Sequence, residues 1–336
     1  MSEAEKIPIL SLFCGCGGFD LGFVSEDYDV VLALDVSAPA VETYNENHGE
    51  GIARVCDLAT TTGRDIVKMI EENGLQQPRG VIGGAPCQTF SNGNVHKKKR
   101  DPRHSLPRKY ARVLKDLNKH YDLDFFVFEN VRGLSGKNHR RTFGQFKTLF
   151  RKAGFRLFAA TLDALDFGVA QRRPRVFVVG LNAEKYPDTE FLFPVGKSRS
   201  KRTVRSKIGK LPVPTFFARS LRPGDIRHHP NHWTMQPKSE KFRNGKLKVE
   251  KNHGRSFRVL SWDKPSWTVA YGHREIHIHP RGKRRLSVYE AMLLQGLPTW
   301  YRLTGNLSAQ VQQVSDTVPR QVAAALARQI RRSIKF

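Results

Sequence analysis

Gly83-Gly84-Ala85-Pro86-Cys87-Gln88-Thr89-Phe90-Ser91 is the stretch on which the reading of this chain turns. It follows Gly80-Val81-Ile82, a short apolar run that reads as the end of a buried strand. Two glycines, a proline and a cysteine therefore arrive at a strand's carboxyl end, the edge where open α/β sheets bind ligands. Glycine lets the backbone turn sharply and lets a substrate approach closely. Pro86 fixes the backbone ahead of Cys87, so the sulfur is presented rigidly. A thiol held in this way is a candidate nucleophile. Taken alone, a buried structural cysteine in a tight turn is the better explanation, and it is the rest of the chain that overturns it.

Working outward, the pattern of a doubly wound fold repeats. Ile7-Pro8-Ile9-Leu10-Ser11-Leu12-Phe13 reads as a first strand and runs into Cys14-Gly15-Cys16-Gly17-Gly18-Phe19, a glycine-rich turn before a helix. Such turns bring bare amides to a ligand, and the helix amino end favours negative charge. Val30–Leu34 is a second strand with Asp35 at its end, placed either to accept from ribose hydroxyls or to cap a helix. Asp57 follows a third strand end. Asp124–Phe128 is a further strand ending in Glu129-Asn130-Val131, and Gln171-Arg172-Arg173-Pro174-Arg175 precedes the strand Val176–Gly180. An acid at a strand end can donate to a heterocycle or serve as a cap or ion-pair partner. Arginines entering a strand either face solvent or clamp anionic and carbonyl groups. Val288–Gly296 is expected as an amphipathic helix, and Pro319–Ile330 as a helix opened by its proline.

The 336 residues suffice for a full α/β domain and a smaller second one, and the net charge of +26 calls for a polyanionic partner. Most of that excess falls in 186–285, where aromatics and histidines are interleaved with Lys and Arg; this argues for a dedicated nucleic-acid module. Cys14, Cys16, Cys56 and Cys87 have spacings that suit neither zinc nor a disulfide framework, so a reduced, intracellular setting and no metal are expected. His228, His229 and His232 lack a carboxylate or cysteine to complete a metal site. No membrane span or signal peptide is read, so a cytoplasmic protein at its DNA is expected. The basic stretch 92–106 beside the cysteine reads as a lid over phosphates.

Together these stretches resemble the DNA cytosine-5 methyltransferases of bacterial restriction–modification systems. Ser11–Phe19 is similar to the family's methyl-donor motif, Gly84-Ala85-Pro86-Cys87-Gln88 to its nucleophile motif, and Glu129-Asn130-Val131 to its Glu-Asn-Val motif. Gln171, Arg173 and Arg175 match Gln-x-Arg-x-Arg, Arg284–Gly296 matches the motif after the recognition domain, and Gln313–Pro319 the last one. Two positions depart: Ser11 stands where the family usually has Asp, and Ser315-Asp316 where it has Gly-Asn.

The resemblance implies a Rossmann-like methyltransferase catalytic domain with a mixed, mostly parallel sheet over 1–185, completed by the C-terminal helix 305–336. It also implies a smaller, irregular, basic target-recognition domain with a hinge over 186–304. The donor would be S-adenosylmethionine, with S-adenosylhomocysteine as product, held by Phe13, Gly15, Gly17, Gly18, Asp35, Val36, Asp57, Leu58, Pro86, Asp316 and Val318. Cys87 would add to carbon 6 of a flipped cytosine, Glu129 would hold the ring nitrogen and amino edge, and Arg173 would face the base carbonyl, with Gln171 and Arg175 beside them. Ser91, Arg103, Thr268, Arg258 and Arg274 would contact duplex DNA. A monomer, and a cognate restriction endonuclease acting on the same site, are the expected associations. A tRNA cytosine-5 methyltransferase and a catalytically silent DNA-binding paralogue are the rival readings. A nicotinamide enzyme would leave the Pro-Cys-Gln and Glu-Asn-Val stretches unexplained.

Overall fold

Every residue of Ile7–Leu12 (β1) is buried, so this strand is covered on both faces and belongs at the middle of a parallel sheet. The computed structural model, which describes residues 6–85, 106–196, 202–249, 257–268 and 277–334, places it there. Its parallel neighbours are Tyr28–Asp35 (β2) and Gly80–Gly83 (β4); Ala53–Val55 (β3) lies beyond β2 and Phe125–Val131 (β5) beyond β4. Pro174–Asn182 (β7) then runs antiparallel to β5, with Phe155–Asp163 (β6) outside it, completing the seven-stranded order β3-β2-β1-β4-β5-β7-β6. The chain reverses its direction of winding between β1 and β4, and a crevice opens at such a switch point beyond the strand ends. This is the mixed, mostly parallel sheet expected of a Rossmann-like methyltransferase.

Helices connect the strands: Gly18–Val24 (α1), Ala38–His48 (α2), Gly63–Glu72 (α3), Leu106–Tyr121 (α4) and Arg140–Lys152 (α5). Each amphipathic member turns its apolar stripe inward. Tyr110, Leu114 and Leu117 of α4 and Phe143, Phe146 and Phe150 of α5 pack on Phe126, Phe128 and Val178 of the sheet. Rings meet edge-on or tilted, as with Phe126 and Phe150 at 4.9 Å, the arrangement their quadrupoles favour.

The chain divides into two compact units. One comprises Met1–Leu162, Pro174–Val195 and Val322–Phe336; the other comprises Asp163–Arg173 and Gly196–Gln321. The division differs from the expected 1–185, 186–304 and 305–336. Arg156 donates to the carbonyls of Tyr186 and Thr189, which holds the start of the basic stretch on the first unit. Leu307–Asp316 (α8) belongs to the second unit through Gln310, which bonds Asn231 and Trp233. The last helix, Arg320–Ser333 (α9), belongs to the first unit from Val322 onward, and there Arg328 and Arg331 pair with Glu26 and Asp27.

Regular structure is sparse in the second unit. Thr215–Phe216 (β8) pairs with Trp233–Thr234 (β9), and Arg258–Val259 (β10) with His277–Ile278 (β11), each only two residues long. Its helices are Val204–Ile208 (α6), Val288–Gln295 (α7) and α8. Helix α7 is not amphipathic as expected: all eight residues are buried, and its polar members Glu290 and Gln295 are bonded within the unit. Among the described residues, no helix is long and apolar enough to cross a membrane.

Candidate active site

The glycine-rich turn after β1 is built around one carboxylate. Asp35, the last residue of β2, accepts from the Gly15 amide at 2.9 Å through Oδ2 and from the Ser37 amide at 2.8 Å through Oδ1. Burial raises its carboxyl pKa against the lowering effect of these two bonds. Each oxygen keeps a lone pair for a further donor. Phe13, Gly15 and Gly17 all have positive φ, 56°, 54° and 83°. Such a run is costly for the non-glycine Phe13, and the Asp35–Gly15 bond helps to hold it. A Cβ at Gly15 would meet nothing within 4 Å, so the turn presents bare backbone to open space. Val36, just past Asp35, is 64% exposed and adds an apolar face.

These groups fit an adenosyl donor: an acceptor for a ribose diol, an apolar and aromatic surface in Val36 and Phe13, and exposed amides at the start of α1 for a carboxylate. Gly18 opens that helix. Asp57 lies two residues beyond β3, its Oδ1 accepting from the Ala59 amide at 2.9 Å. The Leu58 side chain is in the core, so only its backbone can serve a ligand.

Behind the turn stands a group of residues not foreseen from sequence. Tyr44 donates to Asp20 Oδ1 at 3.1 Å and stacks on His48 at 4.3 Å. A Cβ added at Gly17 would come within 2.4 Å of His48 Nε2. Asp20 is fully buried, and burial raises its pKa to about 6 although Ser11 and Tyr44 pull it down. Spacings of 24 and 28 residues carry no local signal that would have joined these side chains. Cys14 sits in the same turn; burial, then Asp20 and Asp35, push its thiol well above its ordinary value, so it is a poor nucleophile.

The acid half of the site lies on β4, β5 and β7. Glu129 and Arg175 face one another diagonally across the antiparallel pair, with Arg175 Nε 3.1 Å from Glu129 Oε1. Their side chains are 12% and 13% exposed, enough to reach a ligand and too little for free hydration. Gly84 is held close to the same carboxylate: a Cβ there would lie 2.8 Å from Glu129 Oε2. Asn130 Nδ2 donates to the Ala85 carbonyl at 3.1 Å, anchoring the backbone immediately before Pro86 and Cys87. The Glu-Asn-Val stretch thus has an acid beside Gly84 and an amide that holds the Ala85 carbonyl. Pro86, Cys87, Ser91, Arg103 and Arg274, with the lid expected at 92–106 apart from Leu106, lie outside the described residues.

Arg175 does not precede its strand, as expected, but lies within β7, paired in register with Val131. Arg173 belongs to the second unit. Its amide donates to Asp163 Oδ1 at 2.9 Å, and its buried guanidinium donates to the Ser315 carbonyl at 2.6 Å. Arg175 thus stands beside Glu129, and Arg173 ties two segments of its own unit. Gln171 bridges Ser266, and Thr268 Oγ1 donates to the Arg172 carbonyl at 2.6 Å, which fastens Pro265–Thr268 to the Gln-x-Arg-x-Arg stretch. The Gln171 side-chain amide is buried without a hydrogen-bond partner. Arg258 lies over the Trp267 ring at 5.9 Å. Asp316 ends α8 and accepts from Gln312 one turn back at 2.6 Å, while Val318 is buried. His229 stacks on Tyr289 at 3.9 Å and His232 bridges Ser287 and Pro212, so both are packing groups.

A C-5 cytosine-specific DNA methylase profile matches residues 7–332. The chain is 28% identical to the Type II methyltransferase M.FnuDI of Fusobacterium nucleatum, over 98% of this chain and 95% of that protein. It is 30% identical to M1.HphI of Haemophilus parahaemolyticus, over 96% and 86%. Among solved structures, a prophage-encoded protein of E. coli described as a DNA modification methyltransferase superposes with a TM-score of 0.79 at 19% identity, over 98% of this chain and 99% of that one. The S. pombe Dnmt2 methyltransferase gives 0.66 at 18%, over 99% and 100%. A sheet with this strand order, an acid–arginine pair beside Gly84 and a match over nearly the whole length lead to one assignment: the chain belongs to the C-5 cytosine-specific DNA methylase family.

Proposed function

We propose that this DNA cytosine methyltransferase joins Cys87 Sγ to carbon 6 of a cytosine turned out of the duplex and so makes carbon 5 nucleophilic. The observation that carries the reading is the Glu129–Arg175 pair next to Gly84, three residues before the cysteine. Carbon 5 of cytosine is a weak nucleophile until a thiolate adds at carbon 6, and negative charge then builds on the ring nitrogen and carbonyl. Glu129, in its protonated form, donates to that nitrogen. Arg175 holds the carboxyl in place, and Arg173, with Arg175, would offer donors to the carbonyl. Asn130 and Pro86 fix the backbone that presents the sulfur. The carbon-5 proton leaves last, and the sulfur is expelled as the ring regains aromaticity.

S-adenosylmethionine, when bound, supplies an electrophilic methyl group. Phe13, Val36 and Asp57 would take its adenine, Asp35 its ribose, and the backbone around Gly15, Gly17 and Gly18 would approach its amino-acid tail. Asp316 and Val318 remain candidates from the last motif. Turning the base out costs a few kcal/mol of stacking and pairing. Thr268 would support the backbone of the flipped nucleotide, and the Lys, Arg and His residues of 186–285, Arg258 among them, would read the duplex. A restriction nuclease blocked by the same methylation is the partner this reading suggests.

Bisulfite sequencing of DNA from a host expressing the chain tests this, since it reports both the modified base and its context. Protected cytosines in one sequence context are expected. Uniform conversion, with methyl transfer to tRNA in a parallel assay, would favour the tRNA reading instead.

A further inference from the structure

The stretch from 130 to 162 holds eight Lys or Arg and no Asp or Glu. It covers the end of β5, 3-10 turns at Arg132–Ser135 and Lys137–His139, helix α5 and most of β6. Phe143, Phe146 and Phe150 occupy the buried side of α5, which leaves Arg140, Arg141, Arg151 and Lys152 exposed. Helix α4 packs beside it and carries Arg108, Arg112, Lys115 and Lys119 exposed at helical spacing. Arg108 Nη2 donates to Gln145 Oε1 at 3.1 Å, so the two outer faces form one surface. The one acid of α4, Asp116, is turned toward Gly63 of α3.

Elsewhere on this unit several surface cations are paired: Arg79 with Asp124, Lys185 with Asp122, Arg328 with Glu26 and Arg331 with Asp27. On the α4–α5 face, Arg108, Arg112, Arg132, Lys137, Arg140 and Arg141 have no ion-pair partner among the described residues. Like charges gathered without counter-charges repel one another, so the arrangement suits a polyanion. Its position suits one too. Arg132 follows β5 directly, three residues after Glu129, and the 3-10 turns carry Lys137 from there to the amino end of α5. Helix α4 likewise starts after β4, so both helices present positive dipole ends at the ligand edge of the sheet. The 13 residues of α5 span about 20 Å, roughly six base pairs of duplex.

We propose that the face made by the turns at 132–139 and the amino-terminal halves of α4 and α5 is a second, sequence-independent phosphate-binding surface for duplex DNA flanking the target cytosine. It rests on the reading of the chain as a DNA methyltransferase and adds to it a contact in the first unit, made by residues outside the basic 186–285 stretch. Its residues touch neither donor nor target base, so they act on capture of DNA and not on the chemical step.

The test compares the unaltered chain with a Lys137→Gln/Arg140→Gln/Arg141→Gln variant on two duplexes centred on the methylated site, one of 12 and one of 40 base pairs. Affinities are measured between 50 and 200 mM salt. Each lost phosphate contact lowers the salt slope by about 0.9, so on the long duplex the salt-induced loss of affinity should be about 40-fold smaller for the variant. On the short duplex the two proteins should agree, and turnover at saturating DNA should be unchanged. An unaltered slope on the long duplex would overturn the proposal, as would a loss confined to tRNA of similar length. Arg140→Glu/Arg141→Glu should weaken the long-duplex complex further, and equal affinity there would also count against it. If the unaltered chain bound no duplex DNA, the methyltransferase reading itself would fail, an outcome separate from these.

Discussion

The two units are held together by different physics. In the first, Leu, Val and Phe from a continuous sheet and its helices form one apolar core, and the polar groups of the site sit at its rim. In the second, buried apolar residues such as Met292, Leu294, Tyr301 and Val314 share the interior with many buried polar groups that bond one another. Arg284 forms a bidentate pair with Glu290, at 2.7 Å through each oxygen, and Glu290 also accepts from the Ser287 amide. Asn231 bonds Leu303 and Gln310, and Trp233 bonds Gln310. An apolar core tolerates gradual change, whereas a satisfied polar network fails abruptly when one member is lost. The first unit should therefore lose function at single polar positions while keeping its fold, and the second should lose its fold.

The largest effect is expected at Glu129. Glu129→Gln keeps the shape but cannot donate an acid proton and leaves Arg175 without its counter-charge, so single-turnover methylation should fall about 10²–10⁴-fold while the melting temperature changes little. A variant that methylated at the normal rate would remove Glu129 from the chemistry. Arg284→Ala should instead break the second unit. Stranding the carboxylate of Glu290 should cost about 3–5 kcal/mol in denaturant unfolding.

The same pair gives a pH dependence of definite sign. Burial raises the Glu290 carboxyl, but the Arg284 hydrogen bonds and charge outweigh it and leave the pKa below its ordinary value. This stability is present above the unfolded value of about 4.3 and is lost as pH falls through the lower folded one. The acid-unfolding limb should flatten in Glu290→Gln; an unchanged limb would show that the network is not what holds this unit.

A smaller effect is expected behind the donor turn. Gly17→Ala meets both the positive φ and the His48 ring, and should raise KM for the donor about tenfold with kcat nearly unchanged. Smallest is Asp20→Asn. The raised carboxyl near 6 means that the folded chain holds more protons than the unfolded chain above about pH 4, so this group costs stability as pH rises from about 4 to 6. The variant should lose that part of the pH dependence in thermal melts, and a profile matching the unaltered chain would place the titration elsewhere.

The same contrast explains what could be read in advance. Apolar runs such as Ile7–Leu12 and Phe125–Phe128 announce buried strands because both faces of the sheet are covered. The glycine-rich turn, Asp35 and Glu129 announce themselves by standing at the strand ends. The Glu129–Arg175 pair was not legible, because it depends on β7 running antiparallel to β5 and bringing Arg175 diagonally beside Glu129. The Asp20–Tyr44–His48 group is joined only by the fold. Strands β8 to β11 are too short to show alternation, and α7 hid its complete burial because its polar residues find partners distant in sequence.

The central claim is that Cys87 attacks carbon 6 of an extruded cytosine. A duplex carrying 5-fluorocytosine at the methylated position cannot release its carbon-5 substituent as a proton, so the covalent complex should persist through denaturation. Incubation with this duplex and the donor, followed by peptide mapping, should find DNA attached to Cys87 alone, and Cys87→Ser should give none. Attachment at Cys14, Cys16 or Cys56, or full methyl transfer to ordinary DNA by Cys87→Ser, would contradict the mechanism.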